Sequence, residues 1–286
     1  MRMLVTGGTG FVGRQVVRLL LASGHTVVVL ARDEVRARSL PWFEQVEFVA
    51  HDLQNATMNW GKSTIPDVLI HLAWSGLPNY QNFFHIGKNL PSDLRFLESA
   101  IQAGVQRLIV AGTCLEYGMQ AGPLTEEMET HPVTPYGFAK DALRKSLEML
   151  QQSHPFTLQW VRLFYTFGEG QNANSLLSQL ERALEEGREY FQMSAGDQLR
   201  DYFSVEMVAR CIEWAVQHPQ MDGVINCSSG APISVLDIVE RHLQRRNKKI
   251  KLDLGVFPYP DYEPRAFWGV PAKLIKYGFF NGNINK

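Results

Sequence analysis

The sequence predicts a doubly wound, parallel α/β sheet with a smaller C-terminal α/β lobe attached, and three observations predict it. The chain opens with a short apolar strand, a glycine-rich turn and a periodic helix. Five further apolar strands follow, mostly separated by helical segments, up to Phe164. Beyond that point the alternation loosens into shorter elements and a tail rich in Pro, Tyr and Gly. Apolar strands joined by helices pair in parallel, with both faces of the sheet covered. A glycine turn at the first strand makes that sheet a Rossmann-type fold.

Met3–Val5 reads as a buried strand, and Gly8, Gly10 and Gly13 give a G-x-G-x-x-G pattern. Val12, Val16, Val17, Leu20 and Leu21 mark the helix behind it, which stops at Ser23-Gly24. Such glycines allow a tight turn, close approach of backbone to a pyrophosphate, and close packing of helix on strand. The helix N-terminus offers unpaired N–H groups and partial positive charge to the phosphates. Gly7, Gly10, Phe11 and Val12 are the expected contacts, and a glycine turn with no ligand is the plainer alternative.

Strand two is Thr26–Ala31, strand three Val46–Ala50 and strand four Asp67–Ala73. Leu94, Leu97, Ala100, Ile101 and Val105 share a helical face before strand five, Arg107–Gly112. A helix from about Tyr136 to Gln152 precedes strand six, Thr157–Phe164. Later segments are a helix at Ser175–Glu186, a helix at Val205–Gln217, a strand at Val224–Cys227 and a helix at Val235–Arg246. Residues 1–165 are the expected dinucleotide-binding domain and 166–286 the substrate lobe, with about 203–228 able to rejoin the first domain. Chemistry is expected in the cleft at the carboxyl ends of the strands.

The 286 residues include 28 Lys and Arg against 29 Asp and Glu, a net charge of −1. That balance leaves no electrostatic footprint for nucleic acid. Three separated cysteines, Cys114, Cys211 and Cys227, suggest free thiols in a reducing compartment, not a disulfide framework or a metal site. No apolar run reaches the length of a membrane span, and no leader pattern opens the chain, so a cytoplasmic protein is expected.

The second chemical signal is Tyr136-Gly-Phe-Ala-Lys140. A spacing of four places phenol and ammonium on one helix face. An adjacent lysine favours the phenolate, which suits a tyrosine to acid–base work. Alone, this pair reads equally as an exposed helix face. Thr113 is expected at the carboxyl edge of strand five, where its hydroxyl would reach a substrate oxygen or simply end the strand.

Taken together these segments resemble the extended short-chain dehydrogenase/reductases, the NAD-dependent epimerase/dehydratase family. Thr6-Gly-Gly-Thr-Gly-Phe-Val-Gly13 resembles its cofactor loop, and His51-Asp52-Leu53 its adenine-side acid. His71-Leu72-Ala73, Gly112-Thr113 to Tyr117-Gly118, and Pro123-Leu-Thr-Glu126 with Pro135-Tyr136 to Lys140 follow in the family's order. Arg162-Leu-Phe-Tyr-Thr-Phe-Gly168, Arg200-Asp-Tyr-Phe-Ser-Val205, and Arg265 with Ala272-Lys273 and Gly278-Phe279 complete the series. Trp74-Ser-Gly-Leu-Pro-Asn-Tyr80 and Gly112 to Met119 are also similar to the dTDP-6-deoxy-L-talose 4-dehydrogenase group.

The resemblance implies that Thr113, Tyr136 and Lys140 are catalytic, with Tyr136 exchanging a proton and Lys140 lowering its pKa. It implies cofactor contacts at Asp52, Leu53, Leu72, Ala73, Tyr136, Lys140 (on the nicotinamide ribose) and Phe164, and substrate contacts at Trp74, Thr113, Cys114, Tyr165, Arg200 and Arg265. The two arginines would clamp a nucleotide diphosphate, a role that bidentate guanidinium geometry suits; surface ion pairing is their plainer alternative. No metal is implied. Cys114-Leu115 stands where dehydratases carry Asp-Glu, which argues against water elimination. Asparagine is usual in the family where Tyr165 stands.

NAD users carry an acid at the tip of strand two, whereas this chain has Ala31-Arg32-Asp33. Arginine there accommodates a 2′-phosphate, so NADP(H) is favoured and NAD(H) is the alternative. The implied reaction is reduction of the C4 keto group of a nucleotide-diphospho-4-keto-6-deoxyhexose, in deoxysugar synthesis for surface polysaccharide. A sugar 4-epimerase and a cofactor-binding regulator without activity are the alternatives. The family also implies a homodimer and no nucleic-acid or membrane partner.

Overall fold

The computed structural model describes residues 1–54, 58–61 and 65–281. Its strands, in chain order, begin with β1 (Arg2–Thr6), β2 (Thr26–Ala31), β3 (Glu47–Ala50), β4 (Val68–His71) and β5 (Arg107–Thr113). Next come β6 (Gly122–Leu124), β7 (Thr157–Leu163), β8 (Tyr165–Phe167), β9 (Tyr190–Gln192) and β10 (Leu199–Arg200). The remainder are β11 (Tyr202–Ser204), β12 (Gly223–Cys227), β13 (Ile233–Ser234), β14 (Lys251–Asp253) and β15 (Phe267–Gly269). The helices are α1 (Phe11–Ala22), α2 (Glu34–Arg38), α3 (Leu90–Ala103), α4 (Pro135–Leu150), α5 (Leu176–Glu185), α6 (Val205–Gln217), α7 (Val235–Arg246) and α8 (Ala272–Lys276).

Seven strands form one parallel sheet in the order β12-β7-β5-β4-β1-β2-β3. The order reverses direction at β1, between β4 and β2, which is where a doubly wound sheet opens its ligand crevice. Val16, Val17 and Leu20 of α1 share one core with Val208, Ile212 and Ala215 of α6. Phe96, Leu97 and Ile101 of α3 share the other with Leu143 and Leu147 of α4. The buried stripes recur at helical spacing, so each helix lays one apolar face on the sheet.

Several strand ends differ from the sequence expectation by one or two residues, and two of them have a clear local cause. The amide of Val46 closes the short 3₁₀ turn Phe43–Gln45 by bonding Phe43 O at 3.3 Å, so β3 starts one residue later. At the end of β4 the amides of Leu72 and Ala73 reach the Thr6 hydroxyl at 3.2 and 3.3 Å, and the strand stops at His71.

Residues 166–286 contribute both to the central sheet and to an outer lobe. β12 pairs with β7 in the central sheet, and α6, Leu274 and Phe279 pack into its core. The outer lobe is built instead from α5, β9 and α7 around Leu180, Phe191 and Val239. Two-stranded pairings stitch it to the rest: β10 with β13, β11 with β8, β14 with β9 and β15 with β6. None of the described helices is long and apolar enough to cross a membrane.

The glycine turn is sterically fixed. Gly7 has φ +70°, and a Cβ on it would lie 2.7 Å from the Ala73 amide nitrogen. A Cβ on Gly13 would lie 2.1 Å from Gly7 O. Within a helix, Gly→Ala ordinarily stabilises by about 1 kcal/mol. Here Gly13→Ala is expected to reverse that sign and lose about 1–3 kcal/mol by overpacking, read as a fall in melting temperature.

Candidate active site

Gly10 caps α1 without a side-chain hydrogen bond, and the backbone at Gly7, Gly10 and Gly13 is open because no Cβ fills it. The amides of Phe11 and Val12 therefore stand at a free helix N-terminus facing the β1–β4 crevice, a geometry that fits a pyrophosphate. Arg14, one turn along, donates to Glu169 O and ties this helix to the loop after β8. At the tip of β2, Arg32 is exposed, while Asp33 is committed to capping α2 through the Arg36 amide at 2.9 Å. Asp52 accepts from the Gln54 amide at 3.0 Å, and Leu53 packs at the edge of the core beneath α3.

The three residues expected to carry chemistry come together at the carboxyl end of β5. Thr134 caps α4 by accepting from the Gly137 amide at 3.0 Å, and Pro135 follows it at a position where proline's missing N–H costs nothing. That start places Tyr136 and Lys140 on the helix face buried towards β5. Lys140 Nζ donates to Ala111 O at 2.9 Å and lies 3.9 Å from the centroid of the Trp74 ring. Burial pulls its pKa down to about 8, while Asp93 and Glu116 oppose that fall.

Burial is also the largest influence on Tyr136 and lifts its phenol well above the ordinary range; Tyr80 adds to the rise, and a hydrogen bond with Thr113 opposes it. This direction is opposite to the lowering expected from the lysine alone. The phenol is therefore held protonated at neutral pH, as a proton donor requires. Tyr80, His85 and Trp74 surround it with ring centroids 5.5, 5.3 and 5.9 Å away.

His85 is fixed by Trp74 Nε1, which donates to its Nδ1 at 3.0 Å, so its own proton sits on Nε2 towards Asn79 O. Burial lowers its pKa. A neutral ring is thus packed against the phenol. Tyr80 was read only as the end of the Trp74–Tyr80 segment and His85 not at all, because a single aromatic outside a regular apolar period carries no signal of its place in a site.

Thr113 is set by a capping box. Its hydroxyl accepts from the Leu115 amide at 3.3 Å, and its own amide donates to Glu116 Oε1 at 2.8 Å. Glu116 is fully buried and also accepts from Trp160 Nε1 at 3.0 Å and Arg162 Nε at 2.7 Å. The guanidinium of Arg162 in turn lies over the Tyr117 ring. A buried Glu116–Arg162 pair thus underlies the threonine, with its charges matched and hydrogen-bonded. Glu116 stands within the T-x-x-E spacing of a capping box, a signal the sequence did carry.

The remaining expected contacts divide. Cys114 is buried, and burial pushes its thiol up, so it is an apolar wall. Phe164 sits in an aromatic cluster with Tyr117 and Phe267. Tyr165 is lifted well above the ordinary phenol range by burial, with Glu263 adding to it. Arg200 is buried beneath Phe267 and donates to Leu199 O, Arg265 O and Glu263 Oε2 at 2.9, 3.1 and 3.1 Å. The Arg265 side chain is exposed and pairs with Asp197 at 2.7 Å. The two guanidinium groups are held by different carboxylates, Glu263 and Asp197. Glu263 had no readable motif in its Pro- and Tyr-rich segment.

A free helix N-terminus over a glycine turn, with a buried Thr–Tyr–Lys group at the next crevice wall, defines a class of protein: dinucleotide-dependent α/β oxidoreductases. The chain belongs to the NAD dependent epimerase/dehydratase family, which it matches over residues 3–228. It is an enzyme of the extended short-chain dehydrogenase/reductase type.

It is 30% identical to a dTDP-6-deoxy-L-talose 4-dehydrogenase (NAD(+)) of Aggregatibacter actinomycetemcomitans, covering 94% of this chain and 99% of that protein. It is 27% identical to a UDP-glucose 4-epimerase of Halalkalibacterium halodurans, covering 96% and 86%. Its fold superposes on a UDP-glucuronic acid 4-epimerase from Bacillus cereus, solved with UDP-glucuronic acid and NAD, with a TM-score of 0.84 at 22% identity, covering 98% and 92%.

Proposed function

We propose that this enzyme reduces the C4 keto group of a nucleotide-diphospho-4-keto-6-deoxyhexose with NAD(P)H. The observation that carries the reading is the Tyr136 phenol, kept protonated by burial and hydrogen-bonded to Thr113, on the same helix face as a lysine anchored on Ala111 O of β5. The 4-dehydrogenase relative supports it across nearly its whole length. A bound nicotinamide supplies the hydride. Tyr136 gives its proton to the developing alkoxide at O4, and Thr113 holds that oxygen with its hydroxyl. Lys140, from its place on Ala111 O, steadies the charge left on the phenolate. Trp74, Tyr80 and His85 shield the phenol from bulk water. Arg200 and Arg265 are the cations available to the diphosphate, and each exchanges its present carboxylate for phosphate oxygens.

A panel of nucleotide 4-keto-6-deoxysugars with both cofactors tests this reading. Consumption of reduced cofactor with formation of a 4-hydroxy sugar is the expected result, and none with any member of the panel overturns it. The 4-epimerase reading rests on the Halalkalibacterium relative. It requires interconversion of two nucleotide sugars without net cofactor turnover.

Exposed Arg32, with Asp33 engaged in a helix cap, favours NADP(H). NAD(H) is the form in the relative's name. Arg32→Ala is expected to raise KM for NADPH much more than for NADH, and equal effects assign NAD(H). The working unit is proposed to be a homodimer through α3 and α4, where Phe138 and Met149 leave apolar surface exposed. Light scattering at twice the chain mass is the expected reading.

A further inference from the structure

The Lys140 side chain is fully buried, yet its ammonium is thinly partnered. Among the described residues it has one hydrogen bond, to Ala111 O at 2.9 Å, and no carboxylate within ion-pair distance. A desolvated cation with three donors and one acceptor is costly to hold. What meets it instead is an aromatic face. Nζ lies 3.9 Å from the centroid of the Trp74 ring. That is well inside the ~6 Å range over which a ring quadrupole attracts a cation, and indole is the strongest such face.

The indole is itself pinned. Its N–H can only donate, and it donates to His85 Nδ1 at 3.0 Å. Nδ1 therefore carries no proton, and the neutral His85 ring donates from Nε2 to Asn79 O at 3.0 Å. Asn89, 3% exposed, backs this arrangement. Its carbonyl accepts from Gln54 at 3.0 Å, so its amide end faces Ser75 O at 2.9 Å and His85 Nδ1 at 3.3 Å. The Tyr136 ring meets Trp74 edge-on, at 63° between planes.

We propose that Trp74, pinned by His85, is a positioning residue for Lys140: its ring face carries the buried ammonium that no carboxylate pairs and holds it in place on the helix face it shares with Tyr136. The kinetic consequence rests on the proposed role of Lys140; the placement does not.

Asp93 from α3 and Glu116 from the turn after β5 favour the ammonium from a distance. His85 from the turn before α3 and Tyr136 on α4 are the other titratable groups around it. A Trp74 variant alters none of these four.

NMR of the full chain labelled at lysine Cε tests the proposal without substrate, with Lys140→Met assigning the signal. Over an indole face the Cε protons are expected upfield, displaced by the ring current. A wild-type signal at the ordinary lysine position overturns the proposal, whether or not any variant folds. The wild-type ammonium is expected to titrate with a midpoint of about 8. An aromatic face favours the charged form, so Trp74→Leu is expected to lower the midpoint by roughly one unit and abolish the upfield displacement. A midpoint that stays or rises overturns the proposal. Trp74→Phe keeps a weaker face and loses the bond to His85; a smaller fall is expected, and this variant decides should Trp74→Leu fail to fold. His85→Phe keeps a ring but removes the acceptor, and an unmoved Lys140 signal there overturns the pinning. With the best sugar of the panel, Trp74→Leu is expected to lower kcat together with the midpoint. A rise in KM for the sugar with an unmoved Lys140 signal assigns Trp74 to the sugar alone and overturns the proposal. The NMR outcomes hold even if no keto sugar is reduced.

Discussion

Tyr136→Phe is expected to lower kcat by at least ~10²-fold while leaving the fold intact. Phenylalanine keeps the ring contacts with Tyr80, His85 and Trp74 and removes only the proton donor. The buried position makes this a clean deletion, because the phenol has the Thr113 hydroxyl as its partner and little access to water. Steady-state kinetics with the best sugar of the panel, together with cofactor binding by fluorescence, check it. Near-normal turnover removes the phenol from the reaction.

Glu116→Gln is expected to be the most destabilising single change near the site. It leaves the Arg162 guanidinium, itself 1% exposed, without its countercharge. Breaking one side of a buried ion pair costs about 3–5 kcal/mol. The same carboxylate accepts the Thr113 amide, so the threonine's place at the end of β5 is weakened as well. Urea unfolding measures the first effect as a lower midpoint at unchanged slope. Activity at low temperature, where the variant remains folded, measures the second. A variant with wild-type midpoint shows that Arg162 finds another partner.

Much of the fold was legible because it repeats a strong pattern. Thr26–Ala31, Val205–Gln217 and Val235–Arg246 have in the structure the bounds read from sequence. Their apolar periods are long and their stops are marked by capping residues or glycine. The short strands β8 to β11 and β13 to β15 were not legible. Two or three residues carry no period, and their pairing is decided by tertiary contacts.

At the site, Thr113, Tyr136 and Lys140 stood out because helix spacing and strand ends are local. Glu263, which holds Arg200, and Asp93, buried 3.6 Å from the His71 ring, did not. Each acts on a residue far away in sequence, and a lone carboxylate reads first as a solvated charge. The direction of the Tyr136 shift was missed for the same reason, since burial is a property of the whole fold.

The placement of β12 beside β7 has a consequence for how the chain matures during synthesis. The sheet's last strand is made some sixty residues after β7 ends, with β8 to β11, α5 and α6 in between. Until Cys227 has emerged from the ribosome, β7 presents a bare edge of unpaired amides and carbonyls, a surface that recruits foreign strands. A chain ending near residue 165 would keep that edge permanently and would be prone to stick to itself. The nucleotide half of this enzyme is thus not a detachable unit, and its completion waits on a segment synthesised only after the outer lobe has begun.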